Sequence, residues 1–352
     1  MDSHQIFTYK NFEIESVYIF DDKDFIIFGI REINANKKYS TLFDGKTFKS
    51  KLNLEVSSSS CFFDLKDTEF GLCMDYKFTI NKFNSDKTEF TEIQNVEIRS
   101  FETGRKLMKL LNGDILFFKY YMGSQSISIF KKTYKDLEFI NNEYMYKSLG
   151  NSRIDNIEDL IELNKDELLG YKKSIACPES LELTVYNENY QIKKKNTIIA
   201  EIINFDGSFK KKLYFTTPLL KVNKKKLIAG GSFNIYIIDI ETLDLETTIK
   251  LKRPINKILI RPKGNIFVLT SEQHIFSKDK KREVCPDYFQ YFLHNIKIDF
   301  KTNEIIKNEE NDITDKAGKY SSFFNFYNYP INGLVLVKDN VEVIIYDNYG
   351  DE

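Results

Sequence analysis

Short apolar or alternating runs dominate this chain, each closed by a turn and followed by another run. Val, Ile, Phe and Tyr fill the runs, and Asn, Asp, Gly, Lys and Ser fill the turns. That is the composition of strands on a pleated, half-buried surface. Helical spacing with both a cap and a stop is absent over any window of about 12 residues. The best helical candidate is Pro286 to Leu293, one or two turns with Asp287 near its start. The pattern predicts an all-β protein.

One unit recurs along the chain: a strand, a tight turn, a stronger apolar strand, a second turn, and a strand ending in Asp, Asn or Lys. Its clearest copy runs from Pro218–Val222 through Leu227–Gly231 to Asn234–Ile238 with Asp239, then Leu245–Leu251. The last copy runs through Ser322–Tyr327, Gly333–Val337 and Val341–Tyr346 with Asp347. The central strands start at 25, 70, 115, 168, 227, 266 and 334. The mean step is about 50 residues, close to the roughly 40 to 50 of a four-stranded propeller blade. Radial sheets of this kind leave only short, protected edges. The expectation is a single seven-bladed β-propeller of four-stranded blades over residues 1–352.

Closure follows from counting. Only Asn348 to Glu352 come after Tyr346-Asp347, too few for a fourth strand, whereas the strand-like Gln5 to Ile14 precedes the first blade. The N-terminal strand is therefore expected to pair with the C-terminal blade and close the ring. Two stacked β-sandwiches divided near Gly150 to Ile154 form the rival architecture.

The blade pattern resembles that of the WD-repeat propeller superfamily. Asp239 and Asp347 stand where that family often carries the Asp of its Trp-Asp dipeptide, preceded here by Ile238 and Tyr346; no Gly-His dipeptide occurs. The resemblance implies the propeller fold and a general role in binding, with no particular partner.

Composition narrows the function. Lys plus Arg number 51 against 52 Asp plus Glu, a formal charge of −1, which argues against a basic nucleic-acid coat. Neither a signal-like N-terminus nor an apolar run of roughly 18 to 20 residues is present, so no export or membrane insertion is expected. Cys61, Cys73, Cys177 and Cys285 form no Cys-x-x-Cys pair, and no Asn-x-Ser/Thr sequon occurs. Both fit reduced thiols in a cytoplasmic, reducing compartment.

Catalytic signatures are missing. There is no Gly-x-Ser-x-Gly and no phosphate-binding glycine loop, and Gly230-Gly231-Ser232 reads as close packing at a strand end. His4, His274 and His294 are the only imidazoles. A site of His274, Cys285, Asp287 and His294 would require the chain between them to fold back, so no metal, cofactor or catalytic residue is assigned. Three lysine clusters, 193–195, 210–212 and 224–226, read mainly as solubilising turns. A basic face for nucleic acid or anionic lipid would require Lys193, Lys211 and Lys225 to share one side.

The most informative local feature is an interruption of the sixth blade at about 277–294. Lys278, Lys280, Lys281 and Arg282 precede Cys285 and the aromatic run Tyr288, Phe289, Tyr291 and Phe292. Aromatics beside basic residues on a loop are a common composition of protein-binding hot spots. A weaker candidate is Tyr120-Tyr121-Met122-Gly123 with Tyr134, Tyr144 and Tyr146. The expected function is a non-enzymatic interaction platform, a scaffold or adaptor subunit that binds other proteins through Arg282, Tyr288, Phe289, Tyr291 and Phe292. The alternative is a propeller enzyme or small-ligand binder using the central channel, which convergent polar groups at the inner strand ends would mark.

Overall fold

The computed structural model describes the backbone of thirty strands together with residues 84–85, 89, 110–111, 165–166, 188, 191, 217–219, 222–225, 231, 233, 240–244, 251–254, 261, 265, 300–303 and 313–314. Side chains are described at 41, 69–72, 79–85, 89–93, 110–111, 159–172, 180–188, 191–198, 217–231, 233–261, 265–272 and 289–314.

The strands are β1 (Ser3–Thr8), β2 (Phe12–Ile19), β3 (Phe25–Glu32), β4 (Lys38–Asp44), β5 (Ser50–Val56), β6 (Cys61–Lys66), β7 (Glu69–Met74), β8 (Lys77–Phe83), β9 (Phe90–Glu97), β10 (Thr103–Lys109), β11 (Ile115–Tyr121), β12 (Ser124–Thr133) and β13 (Asp136–Ile140). There follow β14 (Asp159–Asn164), β15 (Glu167–Lys173), β16 (Ser180–Asn187), β17 (Ile192–Ile199), β18 (Ile203–Phe205), β19 (Phe209–Lys211), β20 (Leu220–Lys221), β21 (Lys226–Gly230), β22 (Asn234–Asp239) and β23 (Leu245–Lys250). The last are β24 (Ile255–Ile260), β25 (Ile266–His274), β26 (Tyr288–Asp299), β27 (Glu304–Asp312), β28 (Asn325–Tyr329), β29 (Gly333–Lys338) and β30 (Glu342–Tyr346).

Within each sheet consecutive strands pair antiparallel, most of them across connections too short for a crossover. Among the described residues they form four-stranded sheets in the orders β2-β3-β4-β5, β6-β7-β8-β9, β10-β11-β12-β13, β14-β15-β16-β17, β20-β21-β22-β23 and β24-β25-β26-β27, with a further sheet β1-β30-β29-β28. The second strand of each repeat starts within one residue of the position expected from the sequence. A small extra hairpin, β18-β19, lies between two of the sheets and accounts for the long step from 168 to 227.

In the last sheet the strand from the start of the chain lies on the outside. β1 pairs antiparallel with β30, from Ser3 opposite Tyr346 to Thr8 opposite Glu342. The run Gln5 to Ile14 is not one strand, however: it divides between β1 and β2, and Phe12 to Ile14 already pair with β3.

The chain divides into two compact units, residues 1–156 with 326–349, and 157–325 with 350–352. In the first, β6 runs beside both β2 and β10; in the second, β20 lies near β14 and β24 near β21. The leading strands β2, β6 and β10, and likewise β14 and β20, thus adjoin one another, whereas β24 meets the second strand of the sheet before it.

The second unit shows how the sheets are held. Along β21 and β22, Leu227, Ala229, Tyr236 and Ile238 face one core, with Leu169, Tyr171, Leu181, Leu183 and Val185 of β15 and β16 opposite. The intervening residues Ile228, Ile235 and Ile237 face a second core, with Ile258, Ile266, Val268, Ile296 and Ile298 of β24, β25 and β26. The period-two alternation of the strand therefore feeds two cores at once. Gly230 stands where this sheet meets the next: a Cβ there would lie 2.7 Å from Thr217 Cγ2 and 3.1 Å from Ile255 Cγ2. Its N–H donates to Thr217 Oγ1 at 2.6 Å, so the close approach is itself hydrogen-bonded.

Two outcomes are expected. Gly230→Ala should cost about 1 to 3 kcal/mol in urea unfolding, because the Thr217 backbone is tied to the same position and the overpacked methyl has nowhere to go. Removal of residues 1–8 should lower the melting temperature by several degrees, since β30 loses its outer partner; an unchanged melting curve would show that the pairing contributes nothing to stability.

Candidate functional site

The sheet β24-β25-β26-β27 carries the aromatic run singled out from the sequence. Pro286 to Leu293 does not form a helix: residues from Tyr288 onward belong to the twelve-residue strand β26. The reason lies in the alternation through 288–299, which matches the pleat, and in nine register pairs with β25, from Ile266 opposite Ile296 to His274 opposite Tyr288. Residues 288–294 are thus strand rather than insertion, and the rest of the expected interruption, 277–287, lies outside the described residues.

The two middle strands outrun their neighbours. β24 begins at Ile255, opposite Thr270, and β27 ends at Asp312, opposite Phe292. Thr270 and Phe292 are themselves partners. One further step is secured by Ser271 N–H donating to the Pro254 carbonyl at 3.2 Å and Ile313 N–H donating to the Tyr291 carbonyl at 2.9 Å. Beyond that, Glu272–Gln290, Gln273–Phe289 and His274–Tyr288 continue the β25–β26 pairing as a ribbon with no flanking strand among the described residues.

Arg253 fixes the root of this ribbon. Its guanidinium carbon lies 3.4 Å from the centroid of the Phe292 ring. Nε donates to Glu272 at 3.2 Å and Nη1 to Glu310 at 2.6 Å. One planar cation therefore joins the segment before β24 to β25, β26 and β27. Asp312 secures the other side: it accepts from the Thr314 hydroxyl at 2.6 Å, the Thr314 N–H at 2.9 Å and Gln290 Nε2 at 2.7 Å. Burial opposes ionisation of Asp312, but these donors and Arg253 outweigh it and hold the carboxyl below its usual range.

Beneath the root sits His294, only 2% exposed. Its Nε2 is 3.0 Å from the Thr270 hydroxyl and its Nδ1 is 3.3 Å from Asn308 Oδ1. The neutral tautomer protonated at Nδ1 satisfies both contacts, with the Thr270 hydroxyl donating to Nε2. Burial is the main cause that pushes this imidazole below its ordinary value; Asn308 and Glu310 work against the shift, and Arg253 adds to it.

The sequence-predicted residues separate into three groups. Tyr291 and Phe292 are 5% and 6% exposed, with Phe289 half-buried and stacked on Tyr291 at 6.1 Å between centroids. Tyr288 stands at the far end of the ribbon opposite His274, its side chain not among those described. Arg282, with Cys285 and Asp287, lies outside the described residues. His274 and His294 stand six residues apart along the ribbon, about 20 Å at strand rise, so the strand keeps these two apart. The side chains of Tyr120, Tyr121 and Met122 are likewise outside those described. Arg253, Glu272, Glu310 and Asp312 were not legible as a group, because they come from three separate segments, the turn before β24, β25 and β27, that only the strand register brings together.

Among the described lysines of the three clusters, four are engaged. Lys193 pairs with Glu167, Lys195 lies 3.5 Å from Glu182, and Lys194 donates to the Glu241 carbonyl. Lys226 is turned inward, pairing with Glu246 and, at 3.0 Å, with Asp239. Asp239 also accepts the Thr242 N–H at 2.8 Å and so closes the turn between β22 and β23. The partner of this Asp is thus an ammonium, in a sequence with no Gly-His dipeptide. Lys225 sits in the exposed turn before β21, and the side chain of Lys211 is not described.

No family model matches the sequence, and no curated protein is similar to it in sequence. Solved structures are similar in fold. The Pan2 WD40 domain of Neurospora crassa superposes with a TM-score of 0.58 at 9% identity, covering 98% of this chain and 96% of that one. The chain has a WD40-like β-propeller fold. This propeller also resembles Sqt1 of Saccharomyces cerevisiae (TM-score 0.55, 9% identity, 98% of each chain). A third match is Hsv2 of Kluyveromyces lactis (TM-score 0.53, 12% identity, 94% of this chain and 91% of that one). In this propeller no helix among the described residues is long and apolar enough to cross a membrane.

His294 predicts a pH dependence. Its folded-state pKa is depressed from 6.5, so the unfolded chain takes up a proton that the native chain refuses. The stabilisation is fully present above 6.5 and is lost as pH falls from there toward the folded value. Urea titrations between about pH 7 and pH 5 should show stability falling by up to about 1.4 kcal/mol per pH unit from this group, a component absent in His294→Gln.

Proposed function

We propose that the chain is one seven-bladed ring over residues 1–352, closed by β1 on β30, and that it serves in the cytoplasm as a non-enzymatic protein-interaction platform within a larger assembly. The observation that carries the reading is the ribbon of β25 and β26, which passes both flanking strands and is clamped at its base by Arg253 and Asp312. A projection already held in place loses little conformational freedom when a partner docks, so most of the contact energy is retained as affinity. Aromatic and arginine side chains are the ones that dominate such contacts.

Burial suggests a division of labour among the five residues. Tyr291 and Phe292 root the ribbon, while Phe289, Tyr288 and Arg282 supply the contact with the partner protein. The general role of propellers as binding scaffolds supports this assignment, and the lack of a nucleophile or phosphate-binding motif in the sequence fits it.

Affinity capture from native cells tests the reading, using the tagged wild type beside Tyr288→Ala/Phe289→Ala and beside Arg282→Ala, each with an unchanged melting temperature. Specific co-purifying proteins should fall about tenfold or more in the variants, the loss that about 1.4 kcal/mol of contact energy produces. Equal recovery in all three, or a wild type that emerges alone, would remove the ribbon as the contact.

A further inference from the structure

Cys61 and Cys73 stand twelve positions apart in the chain, and the register removes that separation. Cys61 is the first residue of β6 and its direct antiparallel partner on β7 is Cys73. The pairing depends on an irregularity between Asp64 and Lys66. Lys66 pairs with Glu69, but beyond the bulge the register moves by one residue, so that Asp64 pairs with Phe70, Phe63 with Gly71 and Phe62 with Leu72. Without that extra residue Cys61 would stand opposite Met74, and the two cysteines would lie on different faces.

We propose that Cys61 and Cys73 form a reversible cross-strand disulfide, a thiol–disulfide exchange site for low-molecular-weight disulfides such as oxidised glutathione. Directly opposed residues of an antiparallel pair have Cα atoms about 4.5 or 5.5 Å apart, depending on whether the pair is hydrogen-bonded. Both distances fall inside the roughly 4.4 to 6.8 Å spanned by disulfides. The Cβ atoms of such pairs, about 4.5 to 5.5 Å apart, are on average wider than the roughly 3.8 Å mean of a disulfide. For a pair at the wider end of that range, closure draws the two strands together and leaves the bond under strain. Strained disulfides are the readily reduced ones, which suits a reversible modification better than a permanent staple.

The exchange balances without any further reactant. The thiolate of one cysteine attacks oxidised glutathione, forms a mixed disulfide and releases one glutathione thiolate. The thiolate of the other cysteine then attacks the protein sulfur of that mixed disulfide and displaces the second glutathione. Two protein thiols are oxidised, one glutathione disulfide is reduced to two thiols, and the protons pass from the former to the latter.

The full-length protein is equilibrated with mixtures of reduced and oxidised glutathione, quenched by alkylation and digested with trypsin. Cleavage after Lys66 separates peptide 52–66, which holds Cys61, from peptide 67–77, which holds Cys73. The expected product is these two peptides joined by a disulfide, reversed by excess reduced glutathione, with Cys177 and Cys285 alkylated. Because a short loop closes readily even in an unfolded chain, the same titration is run in concentrated urea. The effective concentration of the pair should be about tenfold or more higher in the native protein. Cys61→Ser should instead accumulate the mixed disulfide at Cys73. An effective concentration no higher than in urea, or wild-type mixed disulfides that never close, would overturn the proposal.

Discussion

Everything described in the second unit depends on sheets that are apolar on both faces. A sheet wet on one side can rest on a single layer, but β21 is buried at all five of its residues and β22 at five of its six. Such strands require a neighbour on each side. The sheet β20-β21-β22-β23 meets that requirement by sharing one core with the sheet before it and another with the sheet after it. Repetition is then a consequence of packing: each sheet added to cover an apolar face brings another face to be covered. Small residues at the meeting points, Gly230 above all, set how closely successive sheets approach.

Cations turned toward the sheets, Lys226 buried and Arg253 half-buried, organise the polar part of the same design. Lys226, on β21, reaches Asp239 at the end of β22 and Glu246 on β23, while Glu246 also accepts from Asn303 in the turn after β26 at 3.1 Å. Asn303 adopts a positive φ of 61°, a conformation that Asn tolerates better than most residues. Arg253 performs the same task one sheet later. In both places a positive group that would be costly to bury alone is matched by two carboxylates from different strands, so removing any one member leaves the others uncompensated.

The central strands were legible because they are the most apolar runs and lie between turn-forming residues; Leu227 to Gly231 illustrates this well. The β1 pairing with β30 was legible by counting strands. Less could be read where register decides the outcome. Tyr291 and Phe292 looked like loop aromatics because Pro286 and the preceding charges announce an interruption, yet the alternation from Tyr288 onward already belonged to a strand. Cys61 and Cys73 looked unrelated because they are far apart in the chain and form no Cys-x-x-Cys pair, and nothing in the sequence announces the irregularity between Asp64 and Lys66. The Arg253 cluster joins four segments spread over about sixty residues, and no spacing rule connects them.

The ribbon of β25 and β26 also has a mechanical meaning. Its ladder continues without a bulge from the tip into the middle of a four-stranded sheet. A partner pulling along the strands loads many backbone hydrogen bonds in parallel, and the joint resists as a lap joint does. A partner pulling across them peels the bonds apart one pair at a time until the load meets the Arg253 clamp, where a cation, an aromatic ring and two carboxylates give way together. The direction of force, and not only its size, would then decide whether whatever grips the tip is held or let go.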